Sequence, residues 1–140
     1  MLRATLDTNV LLSAFRSRQG AAFELLRRLR AGHWRLVLSN TTLAEYEEVL
    51  KRESTSLKLS LAEIDRALDA LCRLAEQWHP SGNWTPLLTD PDDESFVQLT
   101  FEARADALVT FNLRHFAPAR VQGISVMTPA GFLAMLGSAP

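Results

Sequence analysis

Four short polar groups recur along this 140-residue chain, three of them after an apolar run and one after a Pro-rich loop: Asp7–Thr8–Asn9, then Ser39 with Glu45 beyond it, then Asp92–Asp93–Glu94 following the loop, and lastly Asn112 with Arg114 and His115. Carboxylates brought into one crevice repel one another, and at least one must take up a proton unless a cation neutralises them. A divalent ion relieves that repulsion. Asp and Glu oxygens with a side-chain amide beside them suit Mg²⁺ or Mn²⁺ better than zinc or copper, and no His or Cys pair in the chain has zinc spacing.

Such groups meet only if the elements before them end at the same place. Arg3–Asp7 reads as a short strand ending in an acid, with Thr8 and Asn9 as cap residues before a helix through Val10–Phe15. Ala21–Ala31 carries Phe23, Leu26 and Leu29 at helical spacing and stops at Gly32. The plan then repeats, with a strand at Trp34–Leu38, caps at Ser39–Thr42 and a helix over Leu43–Arg52. Ser60 and Glu63 have capping-box spacing, and the apolar seam from Leu61 to Trp78 predicts one long helix. His79–Pro86 reads as a loop, Leu87–Leu88 as a small strand, and Asp90–Asp93 as the start of a helix reaching Ala103. Ala107–Thr110 and Ile124–Met127 are strand-like, and Thr128–Pro129 caps a last helix to Leu136. Alternating strands and helices imply an α/β fold, a parallel sheet of four to five strands with helices on both faces. In such a sheet ligands bind beyond the carboxyl ends of the strands, where the four polar groups fall. A single domain over residues 1–136 is expected, with a flexible tail at 137–140.

Composition agrees with one globular domain. The chain is 47% hydrophobic and 22% charged, which excludes a disordered tail, a collagen-like repeat and a membrane protein. The single Cys72 belongs to no disulfide framework, no targeting segment is apparent, and a cytoplasmic location is expected. A net charge of −1 gives no overall field to draw in nucleic acid, but residues 1–35 hold seven Arg against Asp7 and Glu24. That segment sums to +5 and the remainder to −6, an asymmetry that points weakly to a polyanionic partner.

Four stretches taken in order resemble the PIN-domain nucleases, and among them the toxin components of bacterial toxin–antitoxin modules. They are Leu6–Asp7–Thr8–Asn9–Val10–Leu11, Ser39 through Glu45, Asp90–Pro91–Asp92–Asp93–Glu94–Ser95–Phe96, and Ala105 through Phe116. The resemblance implies a Rossmann-like domain that cleaves RNA endonucleolytically with Mg²⁺ or Mn²⁺, often dimerises, and is often blocked by a cognate antitoxin. By position it makes Asp7, Glu45 and Asp93 the metal-binding catalytic acids, with Glu94 the alternative to Asp93. Thr8, Asn9, Ser39, Asn112, Arg114 and His115 become substrate or support residues. In the last segment the family usually places a further acid, where this chain reads Asn112–Leu113–Arg114–His115–Phe116. An amide and an imidazole stand where a carboxylate is expected, and the binding of a second metal is thereby open. Protonated, His115 would present a positive charge to phosphate; neutral, it would ligate Mn²⁺ better than Mg²⁺.

Each group also has a local explanation. Asp7 suits a helix cap or an Asx-turn, Thr42 and Glu45 have capping-box spacing, and acids at Asp92–Glu94 favour a helix dipole. Asn112 is an ordinary turn residue, and the Leu61–Trp78 seam serves as core or as a dimer contact. Local explanations do not require the four groups to gather at one end of one sheet. A phosphoreceiver domain would need a lysine after a later strand, but the only lysines are Lys51 and Lys58, and a haloacid-dehalogenase phosphatase would need an acid where Asn9 stands. The competing functional reading is a PIN-like module that binds RNA or a partner protein without cleaving.

Overall fold

A computed structural model describes residues 1–137. The sheet forms from β1 (Arg3–Leu6), β2 (Arg35–Leu38), β3 (Ala75–Gln77), β4 (Ala107–Val109) and β5 (Val126–Met127). All neighbouring strands pair in parallel, in the order β3-β2-β1-β4-β5. Leu6, Leu36, Leu38, Leu108 and Val109 are almost wholly buried. Near-continuous apolar strands of this kind are what a sheet covered on both faces requires.

The covering helices are α1 (Thr8–Arg16), α2 (Ala21–Arg30), α3 (Asn40–Arg52), α4 (Ser54–Leu57), α5 (Leu61–Leu74), α6 (Pro91–Glu102), α7 (Ala117–Val121) and α8 (Pro129–Leu136). Their starts are built from side chains. Asp7, Ser39, Ser60, Asp90 and Thr128 each accept a hydrogen bond from a backbone N–H in the first turn of the helix that follows. Trp34 is sealed under α2 and α8, its indole N–H donating to the Leu25 carbonyl at 2.9 Å and its ring edge-on to Phe132. No helix among the described residues is long and apolar enough to cross a membrane.

Three expectations need correction. The helix read over Leu61–Trp78 ends at Leu74, and Ala75–Gln77 instead pairs with β2 as an edge strand, with the Trp78 N–H donating to the Leu38 carbonyl. Apolar spacing continued past Leu74, but the open backbone edge of β2 takes the segment. The middle of the seam is core, since Ile64, Leu68 and Leu71 are buried, while Leu61 at its start is exposed. Leu87–Leu88 forms no strand, because its two N–H groups donate to the Glu94 carboxylate. The capping box of α3 joins Ser39 and Thr42, which leaves Glu45 free of capping. The tail expected from Gly137 onward lies, beyond Gly137, outside the described residues.

Candidate metal centre

The chain runs outward from β1 through β2 to β3, then returns to add β4 and β5 on the other side of β1. The reversal therefore falls between β1 and β4, and their carboxyl ends diverge there into a crevice. Asp7 is the first residue beyond β1, and its N–H donates to the Val109 carbonyl at the end of β4 at 2.8 Å. This bond fixes the acid at the switch point. Its carboxylate accepts from the Thr8 N–H on Oδ1 at 2.8 Å and from the Thr110 hydroxyl on Oδ2 at 2.7 Å.

Asp7, Thr8, Asn9, Glu45, Asp90, Asp92, Asp93, Asn112 and His115 line one crevice of about 290 Å³, with Leu12, Val49 and Phe96 as its apolar wall. Glu45 reaches it from α3 and Asp93 from the first turn of α6. His115 Nδ1 lies 3.4 Å from Asp93 Oδ2. Asp7, Glu45, Asp93, Thr8, Asn9, Asn112 and His115 are thus brought together. Ser39 is buried in its capping box and Arg114 is exposed, and neither lines the crevice.

Glu94 also departs from the position expected of a metal ligand. It faces away, its Oε1 accepting from Trp84 Nε1 at 2.6 Å and the Leu87 N–H at 2.8 Å, and its Oε2 from the Leu88 N–H at 2.7 Å. On adjacent positions of one helix, about 100° apart, Asp93 faces the crevice and Glu94 tethers the loop before α6.

The electrostatics are those of anions held without enough counter-charge. Burial pushes the Asp7 carboxyl up to about 6 from its ordinary 3.8, against the lowering bond from Thr110, and the Asp93 charge adds to the rise. Burial also raises Asp93, with Asp90 adding to it and His115 opposing, and raises Glu45, with Asp92 and Glu48 adding. A cation in the crevice would offset each of these costs.

The chemistry of the donors fits a hard divalent ion. Beside the carboxylates, the Thr8 hydroxyl and the Asn9 side-chain carbonyl are buried with no hydrogen-bond partner among the described residues. Buried polar atoms are rarely left so. Among the described residues no three His, Cys, Asp or Glu side chains converge to enclose an ion by themselves. Mg²⁺-type sites commonly use one or two carboxylates and complete their shell with water and substrate phosphate.

Two supporting residues were not singled out from the sequence. Thr110 joins the two strand ends, donating to Asp7 and accepting from the Asn112 N–H at 2.9 Å. Tyr46 is buried beneath the site and donates its hydroxyl to the Leu6 carbonyl, one residue before Asp7. A polar residue closing the apolar run of β4 was the only signal for Thr110. Tyr46→Phe is expected to cost about 1–2 kcal/mol in urea unfolding, because the Leu6 carbonyl loses its side-chain partner in a dry setting.

A doubly covered parallel sheet with an acidic crevice at its switch point is an α/β domain of the Rossmann-like class. The chain belongs to the PIN domain family, whose model matches residues 3–114. No curated protein matches the sequence. Among solved structures the fold is similar to VapBC-1 from nontypeable Haemophilus influenzae, with a TM-score of 0.63 at 17% identity over 92% of this chain and 99% of that one. It is also similar to VapBC2 from Rickettsia felis bound to a DNA fragment from their promoter, with a TM-score of 0.63 at 17% identity over 91% of this chain and 98% of that one.

Proposed function

We propose that this protein is a divalent-metal-dependent endoribonuclease of the PIN family, acting as the toxin of a toxin–antitoxin pair, with Mg²⁺ or Mn²⁺ as cofactor. The observation that carries the reading is Asp7, a carboxylate seated at the switch point, almost fully buried, and raised to about 6 with other acids facing it. An acid held in this way costs stability when ionised, and a local capping role would not require that cost.

Asp7, Asp93 and Glu45 are the residues that would hold the ion, directly or through bound water. When bound, it would polarise a phosphate oxygen and make water nucleophilic at neutral pH. Thr110 and the Thr8 N–H fix both oxygens of Asp7, so one rotamer faces the crevice. His115 stands at the rim beside Asp93, where its side chain would meet the ion or an approaching phosphate. Leu12, Val49 and Phe96 form an apolar wall beside the acids.

A cognate antitoxin is the expected protein partner. Both solved neighbours carry the name VapBC, and α1, α2 and α5 leave an apolar groove of about 440 Å³ edged by Arg27, Arg30 and Arg66. That surface suits an apolar segment bearing acidic side chains.

Cleavage of an end-labelled single-stranded RNA, assayed with EDTA and then with Mg²⁺ or Mn²⁺ restored, tests this reading. Activity should vanish with the chelator and return with the ion. Cleavage that persists in EDTA, or none under any condition, contradicts it and in the second case favours the binding-only module.

A further inference from the structure

We infer that His115 is a nitrogen ligand to the ion in this crevice and that it shifts the site's preference from Mg²⁺ towards Mn²⁺. The inference rests on the nuclease reading and concerns the position where the chain carries an amide and an imidazole in place of an acid. His115 Nδ1 and Asp93 Oδ2 are 3.4 Å apart. Two donors on adjacent corners of an octahedral ion with bonds near 2.1 Å are about 3 Å apart, so this pair needs only a small side-chain adjustment to share one ion. An independent feature marks the crevice as a ligand site: Thr8 is more than nine-tenths buried, lines it, and has a hydroxyl without a partner.

Donor chemistry then decides which ion. Mg²⁺ demands oxygen donors, gives up water reluctantly and gains most from ligand charge, so exchanging a carboxylate for an imidazole weakens it. Mn²⁺ is a first-row transition ion that accepts imidazole nitrogen alongside carboxylate oxygen. Asn112, on the same segment, adds an amide and no charge to replace the missing one. The other two histidines do not line the crevice, and His33 is turned to Arg28. Nitrogen coordination of the ion would therefore report on His115 alone.

The test is pulsed EPR of the full chain loaded with Mn²⁺, together with calorimetric titrations of MnCl₂ and MgCl₂ into the parent, His115→Ala and His115→Asp. The parent should show modulation from one coordinated ¹⁴N, absent in His115→Ala. It should bind Mn²⁺ about tenfold or more tighter than Mg²⁺, and His115→Asp should bring the two affinities within about threefold. No nitrogen modulation in the parent, modulation surviving in His115→Ala, or one Mn²⁺/Mg²⁺ ratio across all three proteins overturns the inference. If the parent binds both ions equally through oxygen alone, the nuclease reading stands without it. If it binds neither ion, both fall.

Discussion

Asp7→Asn should make the folded protein more stable at pH 7.5, by about 2 kcal/mol in chelator, while removing its proposed activity. The stabilisation follows from linkage. The folded carboxyl titrates at about 6 and an ordinary one at 3.8, a difference worth about 3 kcal/mol once the group is ionised in both states. Well below pH 3.8 both states hold the proton and no penalty exists. Between pH 4 and 6 the unfolded chain has released its proton and the folded chain retains it, so stability falls as pH rises. Above about 6 the full penalty applies.

Asparagine carries no such charge, and its carbonyl can still accept from the Thr8 N–H. Its amide must face the Thr110 hydroxyl, which now accepts where it donated, and that rearrangement takes back about 1 kcal/mol. Urea unfolding at pH 4, 6 and 8 checks the account. With the rearrangement cost included, the variant should be slightly less stable than the parent at pH 4, gain on it as pH rises and level off about 2 kcal/mol ahead by pH 8, and a difference independent of pH would mean that charge burial is not its source.

Glu94→Ala has the opposite profile, an expected loss of about 2–4 kcal/mol with cleavage per folded molecule retained to within about threefold. Removing the side chain leaves the Trp84 indole N–H and the Leu87 and Leu88 N–H groups without their acceptor, in a half-buried loop that water reaches only partly. Glu94→Gln should cost less, since its carbonyl can keep the two bonds made by Oε1. Asp93→Asn should leave stability unchanged or slightly raised and lose cleavage. The pair decides which of two neighbouring acids serves the ion. Were Glu94→Gln inactive and stable while Asp93→Asn stayed active, the assignment would be reversed.

How far the sequence carried depended on the range of the interactions involved. Local signals served well where local forces decide: apolar runs marked β1, β2, β4 and β5, and Ser60 with Glu63 marked the start of α5. Range explains the misses too. Ala75 and Trp78 continue the helical spacing, yet β3 exists because β2 has an open edge, a fact of tertiary pairing. Leu87 and Leu88 look like a strand until Glu94 supplies their acceptor.

The site divides in the same way. Asp7, Glu45, Asp93, Asn112 and His115 were legible because each follows a strand end or lies near a helix start, and topology brings those positions to one crevice. Thr110 and Tyr46 were not, since their bonds to Asp7 and Leu6 span 103 and 40 residues. Asp93 and Glu94 could not be separated by spacing, because the choice depends on which of them the preceding loop engages.

The central proposal is that Asp7 helps to hold a divalent ion on which RNA cleavage depends. The direct measurement is a time course of cleavage of end-labelled single-stranded RNA in Mn²⁺ by the parent and by Asp7→Asn, both shown to be folded by their unfolding curves. The account predicts cleavage by the parent and a loss of at least about 100-fold in the variant, beyond the 10–100-fold range typical of outer-shell changes. Equal rates in the two proteins would contradict it.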